Sequence, residues 1–190
     1  MATCREIVTR AYQVGGIVSL GVDPKAREMD LGMEALQSLF DMWVEQGMFG
    51  RLKDVYKTAN YTAREYERVI APSAITVTKP TTISGQNRAP YDLACIVTIL
   101  NGTQTNYIYT QGDWTSLSGL AEASECPLSY RDRHGFSCRM AMEYPTMFGA
   151  NLGAPEIQRG RRFQASIMQK FGVDNTPVIT DDYGSYTFRP

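Results

Sequence analysis

His134 is the only histidine in the chain and the residue type best suited to acid–base or metal chemistry at neutral pH. Asp132 is the one carboxylate close to it in sequence, so a metal site would have to gather its other ligands from distant positions. The expectation is a solvated or locally hydrogen-bonded imidazole. A serine hydrolase would need that same histidine together with a G-x-S-x-G elbow, which the sequence lacks. Neither G-x-x-x-x-G-K-[ST] nor G-x-G-x-x-G occurs. No catalytic residue, cofactor site or metal site is therefore assigned.

Two pairs of carboxylates, Glu122 with Glu125 and Asp181 with Asp182, could in principle flank a glycosidic bond. Among 20 acidic residues such pairs also arise by chance. The cluster Arg159, Arg161 and Arg162 offers guanidinium forks for carboxylates or phosphates. On a helix, Arg159 and Arg162 share a face and Arg161 points elsewhere. They are candidates for an inter-subunit or channel-facing surface, against the alternative of a solvated face. Arg131-Asp132-Arg133 is equally open. Cys4, Cys95, Cys126 and Cys138 match neither a compact disulfide framework nor a zinc site, and reduced thiols are expected. Their even number leaves a disulfide formally open.

These groups must be positioned by the rest of the chain. At 190 residues, with 43% hydrophobic and 21% charged, it is long enough and apolar enough to bury a core. The 19 basic and 20 acidic residues leave a formal charge of −1, so no global field draws the chain to nucleic acid or to an anionic membrane. Met1 leads into Ala-Thr-Cys-Arg-Glu rather than a basic and then apolar run, and neither a signal peptide nor a membrane span is expected.

Thr3 and Glu6 spell a capping box, and Ile7, Val8, Ala11 and Val14 then recur at helical spacing as far as Gly15-Gly16. Asp23-Pro24 reads as an N-cap with proline at the first helical position, ahead of a stripe of Met29, Met33, Leu36, Phe40, Trp43 and Val44 ending near Gly47. From there Val55–Tyr61, Ile75–Thr78, Cys95–Leu100 and Thr105–Thr110 read as strands, with Asn101-Gly102 marking a type I′ hairpin between the last two. A short helix is expected near residues 114–124, a helix bent at Pro145 from Phe136 to Phe148, and a last helix from Pro155 to Gly172. Val173–Pro190 reads as an extended arm. Its Val178, Ile179, Tyr183, Tyr186 and Phe188 would be anchors on a partner or on the same domain.

The layout resembles the head-completion adaptors of tailed bacteriophages, in particular the podovirus tail accessory factors that stabilise packaged DNA. The likeness rests on REIVTRAYQVGGIV from Arg5, on Ala35–Met48, on Asn87–Ile99 and on Pro155–Gly172, in that order. It implies a structural subunit without catalytic activity. About twelve copies would form a ring beneath a portal, extend the DNA channel and receive the next tail or nozzle protein. The portal and other copies of itself would be its partners, DNA only passing cargo, no membrane would be involved, and its place would be the virion after synthesis in the host cytoplasm. The chain departs from the pattern in its long β segment and in how little helix follows Pro155.

The expected fold is α+β: a helical-bundle core from residues 1–50 and 131–172, an inserted antiparallel β subdomain at 51–130, and the arm 173–190. A small virion-associated peptidoglycan hydrolase using Glu122 and Glu125 is the alternative function, and a DNA-binding module using Arg159 and Arg162 is a third.

Overall fold

In a computed structural model the described residues are 2–71, 75–81, 92–144 and 149–170. The first helix, α1 (Cys4–Val14), opens with the expected capping box: Thr3 Oγ1 accepts from the Glu6 N–H at 3.2 Å, and Glu6 returns a carboxylate oxygen to the Thr3 N–H at 2.9 Å. Helix α2 (Ala26–Glu45) begins later than Asp23-Pro24 suggests. Asp23 is drawn off by the Arg5 guanidinium at 3.3 Å, and Glu28 closes the first turn by accepting from the Lys25 N–H at 2.7 Å. Gly32 lets the two helices meet, since a Cβ there would stand 2.4 Å from a Val8 methyl.

Among the described residues seven strands follow: β1 (Lys53–Tyr56), β2 (Tyr61–Thr62), β3 (Glu67–Ala71), β4 (Val77–Thr78), β5 (Asp92–Leu100), β6 (Thr103–Thr110) and β7 (Asp113–Ser116). Asn101 and Gly102 both take positive φ and join β5 to β6 in the expected hairpin, with Leu100 opposite Thr103. A second two-residue turn at Gln111-Gly112 adds β7, so the predicted helix near 114–124 is replaced by an edge strand and irregular chain. The five-stranded sheet runs β1-β3-β5-β6-β7, its first three strands parallel and the rest antiparallel. Strands β2 and β4 make a separate parallel pair.

The antiparallel insertion on a helical bundle is therefore not what forms. The fold is α+β, with four helices among the described residues and a mixed sheet that shares one apolar core with them. Cys95, Val97 and Ile108 lie in the same cluster as Phe40, Trp43 and Phe136. Helix α2 is tied to the sheet along Gln37, Asp41 and Glu45, which stack at four-residue spacing. Gln37 reaches the Leu117 carbonyl at 2.9 Å, Asp41 accepts from the Asn106 amide at 2.8 Å, and Glu45 takes the Arg68 guanidinium at 2.9 Å. Central strand β5 is buried on both faces: Cys95 and Val97 face the helices, while Ile96 packs with Ala63, Val69 and Trp114 under the β2–β4 ribbon.

Helix α3 (Arg133–Ala141) starts at an Asp132 cap and stops before Pro145; residues 145–148, and with them the expected bend, lie outside the described residues. Helix α4 (Ala154–Lys170) matches the helix expected from Pro155, and the arm anchors Val178, Ile179, Tyr183, Tyr186 and Phe188 also lie outside the described residues. The elements converge on Trp43, fully buried, with ring centroids of Phe40, Phe136, Phe49 and Phe163 between 5.8 and 6.4 Å away. No described helix is long and apolar enough to cross a membrane.

At the α3–α4 crossing, a Cβ on Gly160 would stand 2.9 Å from the backbone N and Cα of Arg139. Helical Gly→Ala exchanges ordinarily gain about 1 kcal/mol. Here the helices would have to separate, so Gly160→Ala should instead lose about 1–3 kcal/mol, read from the urea midpoint.

Candidate functional site

The start of α3 and the first turns of α4 enclose a cleft of about 410 Å³ lined by Asp132, His134, Glu156, Gln158, Arg159 and Arg162. Asp132 makes the corner. One of its carboxylate oxygens caps α3 by accepting from the Gly135 N–H at 2.9 Å and also takes the Arg159 guanidinium at 3.1 Å. Burial alone would raise this carboxyl, but those two donors together outweigh it and hold it below its ordinary value. A Cβ at Gly135 would fall 2.5 Å from Asp132 Oδ2, so a larger residue there would displace the capping carboxylate.

His134 stands at the floor, Nε2 3.8 Å from the Cys138 sulfur, and its Nδ1 is buried without a hydrogen-bond partner among the described residues. Burial first, then the cations Arg159 and Arg10, push its pKa below the ordinary 6.5, so the neutral imidazole is favoured. The Cys138 thiol is pushed up, mainly by burial, and is therefore a poor nucleophile. Among the described residues no three His, Cys, Asp or Glu side chains gather at metal-binding range.

The remaining candidates are dispersed. Arg159 and Arg162 both line the cleft; Arg161 is exposed and does not. Arg131 lies over the Tyr130 ring at 5.6 Å, and Arg133 pairs with Glu6 at 3.3 Å. Glu122 is held by Arg5 at 3.1 Å, whereas Glu125 lines a different cavity of about 250 Å³ with Thr110, Asp113 and Leu128. Asp181 and Asp182 lie outside the described residues.

Two surface features escaped the reading of the sequence. The connection from α1 to α2 carries Leu20 at 84% exposure and Val22 at 52%, on a loop braced by hydrogen bonds. Ile17 N–H reaches the Tyr12 carbonyl at 3.1 Å, Val22 N–H the Ser19 carbonyl at 3.1 Å, and Gln13 donates to the Val22 carbonyl at 3.3 Å. The apolar run Ile17-Val18-Ser19-Leu20-Gly21-Val22 was the available signal. The second feature is β1, an edge strand whose Tyr56 is 75% exposed. Arg68 binds both Glu45, at the end of α2, and Asp54 of β1. The Leu20 loop and the β1 edge thus lie at opposite ends of α2, which at 20 residues is about 30 Å long.

Compared with known proteins, the chain matches no family model and no curated sequence.

The cleft sets an acid response. His134 has a folded-state pKa below 6.5, so below that pH the unfolded chain takes up its proton first and the fold loses stability. Asp132, with a depressed folded pKa, adds a loss of the same sign only as pH falls below 3.8 and through its folded value. Because there is one histidine, the loss of stability between pH 6.5 and about 5 should be absent in His134→Asn, measured by urea unfolding across that range.

Proposed function

We propose that this chain is a structural adaptor subunit of a phage head-to-tail connector, forming a ring under the portal, extending the DNA channel and offering an attachment surface to tail components. The observation that carries this reading is the pair of unlike, preformed surfaces at the two ends of α2, the braced Leu20–Val22 loop and the β1 edge with Tyr56. A ring closed by head-to-tail contacts needs two different patches on every subunit, because each copy gives one surface and receives on the other. Exposed leucine and valine on an ordered loop suit the giving surface, and a strand at the sheet's edge among the described residues suits the receiving one.

Under this reading the chain's polar residues mostly position its own elements, as Asp132 and Glu28 do at helix starts and Glu45 does at the sheet. Partners are other copies, the portal and the next tail or nozzle protein, with DNA passing through the channel. The arm from Val173, carrying Val178, Ile179, Tyr183, Tyr186 and Phe188, would attach to the portal or to a neighbouring subunit. Its placement is the virion, at the junction of head and tail.

Native mass spectrometry of the chain mixed with a portal ring provides the test. A stoichiometric ring on the portal is the expected product, and Leu20→Ser with Val22→Ser should leave the monomer folded while abolishing ring closure. Truncation before Val173 should weaken attachment without unfolding the domain. Absence of any complex between the intact chain and the portal would overturn the proposal.

A further inference from the structure

Two of the four cysteines meet where the chain's beginning is stitched to the segment before α3. Thr3 and Glu125 form an antiparallel bridge, flanked by hydrogen bonds from the Cys4 N–H to the Ser124 carbonyl at 2.9 Å and from the Cys126 N–H to the Ala2 carbonyl at 2.8 Å. Side chains alternate across such a ladder, so Ala2, Cys4, Ser124 and Cys126 share one face, and there Cys4 and Cys126 are diagonal neighbours. Both are fully buried in the main core. Ser129 fastens the same place, its hydroxyl lying 3.2 Å from the Ala2 N–H.

We propose that Cys4 and Cys126 are a redox modification site, a dithiol that closes to a disulfide by exchange with a small-molecule disulfide such as oxidised glutathione. Cys4, as a thiolate, attacks one sulfur of the reagent; the reagent's S–S bond breaks, its first thiol leaves, and a mixed disulfide forms on Cys4. Cys126, having given up its proton, attacks the Cys4 sulfur and releases the second thiol. The chain loses two protons and two electrons, and the reagent takes up both.

The division of roles follows from the surroundings. A hydrogen bond with Cys126 holds the Cys4 thiol below its ordinary value against the opposing effect of burial, and Cys4 is also the first residue of α1, where a helix favours negative charge. Cys126 is pushed up, first by burial. Disulfide geometry needs Cα atoms within about 7 Å, and diagonal neighbours on a ladder sit near that limit, so closure asks for a small inward shift. Cys95, pushed up to about 12 by burial, and Cys138, set against His134, belong to other parts of the core and act as internal controls.

The test uses the full chain, refolded from reduced, denatured protein in a glutathione buffer, because both thiols are buried once the chain is folded. The expected product has lost about 2 Da, its peptide map joins the Cys4 and Cys126 peptides, and its unfolding temperature rises by about 5–10 °C over the dithiothreitol-treated form. Cys126→Ser and Cys4→Ser should each abolish the mass loss and the shift while keeping the far-ultraviolet circular dichroism of the parent. Four free thiols in refolded protein of native circular dichroism, a different pairing, or only mixed glutathione adducts would each overturn the proposal.

Discussion

Burial of one indole organises this molecule. Trp43 receives Phe40 from its own helix, Phe49 from the turn that follows, Phe136 from α3 and Phe163 from α4, while the Arg139 guanidinium lies 5.9 Å from its ring. Phe136 and Phe163 stack on each other at 5.1 Å, so the two late helices are fixed to one another by the contact that fixes them to α2. A group of that size withdrawn from water dominates its neighbourhood, and truncating such a residue typically costs about 3–5 kcal/mol. Phe136 and Phe163 thereby help to hold α3 and α4 close enough for Arg159 to reach the α3 cap at Asp132.

Polar side chains then set the angles that apolar packing leaves free. Gln37, Asp41 and Glu45 run along one flank of α2 and bind the sheet at three heights, while Asp132 and Arg159 join the late helices at their starts. Glycine provides the close approaches, with Gly32 between α1 and α2 and Gly160 between α3 and α4. Arg139 joins the two systems, its guanidinium donating to Gln164 at 2.6 Å and to Glu143.

Local signals were legible and non-local ones were not. The Thr3–Glu6 box and the Asn101-Gly102 turn are decided within four residues, and both formed as read. Gln111-Gly112 uses the same positive-φ geometry but is a weaker cue, and β7 forms where the sequence suggests a helix. Parallel pairing of β1, β3 and β5 has no turn to announce it, because its partners are joined by crossovers rather than hairpins. Polar residues at Gln37, Asp41 and Glu45 look in sequence like a solvent face, which favoured a bundle over a helix laid on a sheet. Asp23-Pro24 misled because Arg5, 18 residues away, takes the aspartate. Of the site residues, the shared face of Arg159 and Arg162 followed from helical spacing, but the meeting of the Cys4 and Cys126 segments across 122 positions did not.

The arrangement around Trp43 also constrains how the chain comes into being. Phe163 lies about 120 residues beyond the indole, so at ribosomal speeds of roughly 5–20 residues per second the tryptophan waits on the order of 10 s for its last aromatic neighbour. During that interval α1 and α2 can pair across Gly32, yet the face that the late helices will cover stays open to water. The nascent protein is thus a sticky intermediate whose lifetime is set by translation rather than by its own folding rate. A slow codon between β7 and α3 would lengthen the exposure, making chaperone supply in the producing cell a determinant of yield.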